Sequence, residues 1–286
     1  MMNILVDSGT DLPDSIIKEY NISVIKNGIA ENTKGTWKEF PNDKNMLEEI
    51  VEKSKKGVEF KTSATSVGRF KQIFDELTID GESVVYISIT SRGSKVHDIA
   101  VSAKNELQGR DITIIDSGGA FSLHSIITLS LARAIRSGKS KKEAIDSALK
   151  TKENSKCIIG IPDISYLYKT GRLPQGKDMS KSVLKLIVIV GFLHEEDKVF
   201  SLIGRERNIK TANRMIVSFI EKDLKTNKKG KVRCIVGSNL NKDAVIDLEN
   251  KIKKGGWCEE LILAEEHPEA SVIVGPNSWM IGYELL

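Results

Sequence analysis

Residues 84–116 read VVYISITSRGSKVHDIAVSAKNELQGRDITIID, and this stretch decides the fold class. Val84 to Ile89 is a short run rich in β-branched residues, the signature of a buried strand. Val96, Ile99, Ala100, Ala103 and Leu107 follow at helical spacing, with Ser94 placed as the N-cap. Ile112 to Asp116 returns to strand character. A strand, a helix and a second strand of this length form a βαβ crossover, so the two strands are parallel.

The same alternation extends outward. Asn3 to Asp7 reads as a buried strand, and Met46, Leu47, Ile50 and Val51 share one helical face. Ile126, Ile127, Leu129, Leu131 and Ile135 mark a long helix. Residues 1–152 are therefore expected to form an α/β domain that ends with the helix following Ser137-Gly138-Lys139-Ser140. The second half restarts at Cys157-Ile158-Ile159-Gly160-Ile161. There Val183–Leu193 and Lys198–Ile203 flank the turn His194-Glu195-Glu196-Asp197, an antiparallel hairpin pattern. Further strands are expected at Val232–Val236, Leu261–Ala264 and Val272–Val274, which makes residues 153–286 an α+β domain with a largely antiparallel sheet.

The composition bounds the function. The chain has 286 residues, 40% hydrophobic and 29% charged, a globular profile. Its 43 basic and 39 acidic residues leave a scattered net charge of +4, which makes no case for nucleic acid. The longest apolar run, Leu186 to Leu193, falls far short of the ~20 residues of a membrane span, so any membrane contact is expected to be transient. Asp7 interrupts the first residues before an export signal could form. Cys157, Cys234 and Cys258 are odd in number and far apart, which argues for free thiols and a cytoplasmic location.

Several chemistries lack their motifs. No glycine-rich dinucleotide fingerprint follows the first strand. Gly171 to Asp178 nears a phosphate-binding loop but puts Asp178 where a hydroxyl should reach magnesium. His97, His124, His194 and His267 have no metal-ligand spacing, and no metal is expected. His194 and His267 read as solvated loop residues, the other two as helix residues.

Two loops stand out. Thr62-Ser63-Ala64-Thr65-Ser66 carries four hydroxyls in five residues, and Ser88-Ile89-Thr90-Ser91-Arg92-Gly93-Ser94 also carries four. Ligands of open parallel sheets bind beyond the carboxyl ends of the strands. A helix opening at Ser94 would aim free N–H groups there, a place suited to a carboxylate or a phosphate. The same hydroxyls would also serve as ordinary turn and cap residues. Residue chemistry leaves the ligand open. One reading is a binding protein. The other is an enzyme acting on a small phosphorylated or carboxylated metabolite, with Arg172, Arg92 and Lys95 clamping the anion and Asp7 or Asp116 as base.

At these residues the chain resembles the DegV family of bacterial lipid-binding proteins, along nearly its whole length. Val6-Asp7-Ser8-Gly9-Thr10-Asp11-Leu12-Pro13 resembles the family's opening D-S-x-x-D-L, and Thr62 to Ser66 its T-S-Q-P-S loop. Ile89 to Ala100 resembles I-S-S-G-L-S-G-T-Y-Q-S-A, and Ile115-Asp116-Ser117 resembles I-D-S. Tyr166 to Leu173 resembles Y-L-x-K-G-G-R-I, and Gly275-Pro276 resembles the end of H-T-G-P-G. The resemblance implies a two-domain, non-catalytic protein that holds a long-chain, palmitate-like fatty acid between its domains and has no other cofactor. It places the carboxylate on Thr62, Ser63 and Ser94, with Arg172 at the mouth beside Arg92 and Lys95. It further implies service to a fatty-acid kinase catalytic subunit, which would phosphorylate the presented carboxylate for phospholipid synthesis. The chain departs from the family pattern where Arg92 and Lys95 replace glycines, where Ala64-Thr65 replaces Gln-Pro, and where Ile273 takes the place of the histidine before T-G-P-G. For the acyl tunnel the candidates are Ile87, Ile89, Phe121 and Ile273, together with Leu123, Ile127, Val188 and Val190.

Overall fold

A computed structural model describes residues 2–173, 186–194, 198–264 and 267–286. Pro174 to Asp178 of the phosphate-loop look-alike, the start of the expected strand at 183–185, and Glu195 to Asp197 of the expected turn lie outside the described residues.

Strand β1 (Met2–Asp7), helix α1 (Asp14–Glu19) and strand β2 (Ile22–Ile25) make the first crossover. The chain then builds a small antiparallel sheet that the hydrophobic pattern did not announce. It consists of β3 (Gly28–Thr33), β4 (Thr36–Phe40) and, after helix α2 (Leu47–Lys55), β5 (Phe60–Ser63), in the order β4-β3-β5. Its hairpin turns at Lys34 and Gly35, both with positive φ, as a tight two-residue connection requires. One face is largely solvated, so only Ile29, Phe40 and Phe60 contribute to a modest core with Ile50 and Val272. Thr62 and Ser63 consequently end a strand rather than lie in a strand–helix loop.

Helix α3 (Val67–Leu77), capped by the Ser66 hydroxyl, leads to β6 (Ser83–Ser88), α4 (Val96–Asn105) and β7 (Asp111–Asp116). The first sheet is parallel throughout, in the order β2-β1-β6-β7. Helices α5 (Ser122–Arg136) and α6 (Lys141–Asn154) follow, the latter opened by a Ser140/Glu143 capping box.

The second half holds β8 (Ser155–Ile161), α7 (Ser165–Lys169), β9 (Ile187–Phe192), β10 (Ser201–Glu206), α8 (Ile209–Thr226), β11 (Val232–Ser238), α9 (Lys242–Gly255), β12 (Cys258–Leu263), α10 (Pro268–Val274) and β13 (Trp279–Leu285). Its six strands run β10-β9-β8-β13-β11-β12, antiparallel except for the β11–β12 pair. One expectation is corrected. Val272–Val274 is the end of a helix, because Pro268 starts a turn that packs among α2, β5 and α7. The strand lies instead at Trp279–Leu285, in the middle of the sheet and buried along its whole length.

Helix α5 ties the halves together. It contacts β1 and β6 of the parallel sheet and β8, β11 and β13 of the other. Leu123, Ile126 and Ile127 therefore share one core with Val6, Ile87, Ile159 and Met280. The approach is close at Gly282, where an added Cβ would lie 2.6 Å from the Ser122 backbone. Backbone cannot yield as a side-chain tip can, so Gly282→Ala is expected to cost about 1–3 kcal/mol. Urea denaturation followed by circular dichroism measures that loss.

Candidate functional site

The loop from Ile89 to Lys95 leaves the carboxyl end of β6 and is braced from β7. Ser91 donates to Asp116 Oδ2 through its N–H at 3.2 Å and its hydroxyl at 2.6 Å, while Gly118 N donates to Oδ1 at 2.7 Å. Burial pushes the Asp116 carboxyl up, but these bonds and the Lys152 ammonium outweigh it and leave the pKa below the ordinary value. Gly93 N and Ser94 N both donate to Thr90 O at 3.2 Å, and Ser94 Oγ accepts from Val96 N at 3.2 Å. Ser94 is not the N-cap expected from sequence: Lys95 holds that position, and Ser94 lies one residue before it at the opening of α4.

The second hydroxyl segment comes from the small sheet. Thr62 pairs with Ile29 and Ser63 with Gly28, and Thr65 N donates to Asn27 Oδ1 at 3.3 Å. Arg172, just after α7, reaches over: Nη1 donates to Thr170 O at 2.8 Å and Nη2 to Thr62 Oγ1 at 3.4 Å. Loss of water pulls the Arg172 pKa down, and the Glu269 carboxylate partly restores it.

These segments enclose a cavity of about 440 Å³, within the range of small-molecule sites. Thr62, Ser63, Ser94, Arg92, Lys95 and Arg172 all line it, and so do Ile89, Phe121 and Ile273. Phe192, Val199, Phe200 and Ala120 complete the apolar wall, with the Phe192 and Phe200 rings 4.7 Å apart. Ile87 is not in the wall. It lies one turn of the pleat deeper, fully buried, with His124 against its carbonyl. Leu123, Ile127, Val188 and Val190 likewise belong to the packed core.

Sequence reasoning missed Glu269, Asn27, Phe192 and Phe200 as wall residues. A lone acid within the apolar segment from Pro268 to Val274 was the one available signal for Glu269. Two histidines are corrected as well. His267 is buried and pushed down to about 4 by loss of water and nearby lysines. His194 is half-buried, with Nε2 2.7 Å from Ser155 O. Among the described residues no group of three or more His, Cys, Asp or Glu could hold a metal ion, and no helix is long and apolar enough to cross a membrane. Cys157, Cys234 and Cys258 are free thiols.

The profile described as "Uncharacterised protein, DegV family" matches residues 1–285. The chain belongs to the DegV family. A DegV domain-containing protein of Caldanaerobacter subterraneus subsp. tengcongensis is 28% identical over 76% of this chain and 76% of its own. Among solved structures, a Thermus thermophilus DegV family protein, described for its fatty acid binding, superposes with a TM-score of 0.86 at 19% identity, covering 100% of this chain and 99% of that one. A Eubacterium ventriosum protein described as binding stearic acid gives 0.82 at 18% identity, covering 100% and 98%. At such identities these likenesses establish a common DegV fold.

Because Asp116 holds the Ser91 loop, Asp116→Asn is expected to cost about 1.5–3 kcal/mol at neutral pH, the scale of hydrogen bonds to a charged group. A carboxyl whose folded pKa is depressed stabilises above its unfolded pKa, and that contribution is lost as pH falls through the folded value. The gap between wild type and variant should therefore close in acid, which thermal unfolding from pH 7 to pH 3 would show.

Proposed function

We propose that this DegV family protein binds one long-chain fatty acid without performing chemistry on it. The observation that carries this reading is a cavity lined both by hydroxyls and an arginine, Thr62, Ser63, Ser94 and Arg172, and by aromatic and aliphatic side chains. Thr62 and Ser94 would hold the carboxylate with the opening N–H groups of α4. Arg172, Arg92 and Lys95 would form the mouth, and Ile89, Phe121 and Ile273 would flank the chain. Residues 1–152 would then carry the hydroxyl segments and residues 153–286 close over the acyl tail. DegV relatives described as binding fatty acids support the reading.

The energetics are adequate without catalysis. Burying about fourteen methylenes at ~0.8 kcal/mol each gives roughly 11 kcal/mol of transfer energy. Ordering the chain and losing translation offset several kcal/mol of this. The carboxylate must exchange water for hydrogen bonds, which hydroxyls and helix N–H groups supply without a competing negative charge. The bases required by the small-metabolite reading are otherwise engaged. Asp7 is fully buried and accepts from Gly9 N, Tyr86 Oη and Ile89 N, each at 2.9 Å, and Asp116 braces Ser91.

The finer part of the proposal is presentation. A head group held at this mouth would be offered to a fatty-acid kinase catalytic subunit, with the nucleotide bound by that partner.

Denaturing mass spectrometry of the purified protein should release a C14–C18 fatty acid in near-stoichiometric amount. A fatty-acid-free protein that also takes up no fluorescent fatty acid would overturn the reading. Ser94→Ala should weaken binding by about 1–2 kcal/mol, and unchanged affinity in both Ser94→Ala and Thr62→Val would remove these residues from the site. Acyl phosphate formed on adding ATP and a fatty-acid kinase subunit would support presentation.

A further inference from the structure

Glu269 stands in the wall of the cavity, at the start of α10, and is only 3% exposed. Its Oε1 accepts from Ser8 Oγ and from Asn42 Nδ2, the latter at 2.6 Å, and its Oε2 accepts from Asn27 Nδ2 at 3.2 Å. Three donors hold it in place, and neither the family motifs nor the site proposed above uses it.

Its charged surroundings come from several elements. From β1 it faces Asp7, and both acids act on Tyr86 of β6. Arg172, after α7, is the cation that Glu269 offsets. Helix α2 turns Leu47, Ile50 and Val51 inward, and α7 contributes Tyr166, with Lys169 over its ring. On β5, Lys61 lies outward over the Trp37 ring. Lys26 pairs with Asp43 and Lys44 with Asp14, while His267 at the head of α10 is neutral at pH 7. On the 89–95 loop, Arg92 Nη2 donates to Gly118 O at 3.0 Å and Lys95 reaches Asp98 at 3.5 Å. The head-group end therefore already sets Glu269 beside Arg172, with the buried Asp7 behind Glu269, before any ligand arrives.

A fatty-acid carboxylate would add another anion to this low-dielectric space. Two carboxylates in one site cannot both stay ionised cheaply, and a proton taken from water relieves the repulsion. We propose that Glu269 and the ligand carboxyl share one proton in the loaded protein, so that fatty-acid binding is coupled to proton uptake through Glu269. This rests on the fatty-acid reading above. Burial already raises the Glu269 pKa in the free protein, with Asp7 adding to the effect.

The sign of the coupling follows. Below the pKa of Glu269 in the free protein, the proton is already aboard and affinity does not vary with pH. Above it, the proton must come from water, so affinity falls as pH rises, by up to about tenfold per unit for one proton. Calorimetry with dodecanoate from pH 6 to pH 9, in two buffers of different ionisation enthalpy, counts the protons directly. Wild type should show affinity falling towards the alkaline end with proton uptake approaching one per ligand, and Glu269→Gln should remove both. Dodecanoate binding with no pH slope and no buffer-dependent heat in wild type would overturn the coupling while leaving fatty-acid binding intact. A slope retained in Glu269→Gln would overturn the assignment to Glu269, and no dodecanoate binding at any pH would sink both readings. Should Glu269→Gln fail to fold, Glu269→Asp replaces it: the pH midpoint of the affinity change should move relative to wild type, and an unmoved midpoint would overturn the assignment to Glu269.

Discussion

The structure depends on α5 being a layer shared by two sheets. One helix fills the space between the carboxyl-end half of the parallel sheet and the face of the six-stranded sheet. Its entry is tightly constrained. Phe121 precedes it with φ 58° and ψ −131°, a costly backbone state for a residue with a side chain, worth of order 1–3 kcal/mol. Phe121 N donates to Gly9 O at 2.8 Å, and Thr10 bridges to Phe121, so the strain is held from β1's own loop. The result is an aromatic ring delivered to the cavity wall from the same turn that starts the shared helix.

Around that helix, the carboxyl ends of β6 and β7 face β9, α10 and the segment after α7. The cavity is the space these elements leave, which is why its walls come from both halves of the chain. Hydroxyls arrive by two routes: Ser94 from a helix opening and Thr62 from a strand end. Arg172 spans toward Thr62 from the second half. An apolar chain needs little more than this, since its transfer from water supplies the driving force and the polar end only has to keep its hydrogen bonds.

The carboxylates that a catalytic reading would recruit are used as structural acceptors. Asp7 gathers three donors, Gly9 N from the turn after β1, Tyr86 Oη from β6 and Ile89 N from the loop after β6, and Asp116 gathers the Ser91 loop and Gly118. Each fixes a loop that borders the cavity. Glu269 differs because it lies in the wall itself, where its charge bears on whatever enters. A buried acid beside a carboxylate ligand links occupancy to proton concentration through electrostatics alone, with no moving part.

Local pattern by itself determined the βαβ order of the first half, since strand and helix periods from Val84 to Asp116 are unambiguous and parallel strands require a crossover between them. The ordered motifs from Asp7 to Pro276 also singled out hydroxyls and cations, Thr62, Ser63, Ser94, Arg92, Lys95 and Arg172, that the fold brings to one cavity. Tertiary structure alone decided the small sheet at residues 28–63, whose strands bury only Ile29 and Phe40 and so carry too few apolar positions to mark an alternation. It also turned Val272–Val274 into helix and Trp279–Leu285 into strand, since nearly every residue of both is buried, the polar Glu269, Ser271 and Glu284 included, so polarity does not mark a face. Ile87 and Ile89 look alike in sequence, yet only Ile89 reaches the cavity. Depth and facing are settled by what packs behind a residue, and so is the role of Glu269, whose neighbours Ser8, Asn27 and Asn42 lie more than two hundred residues away.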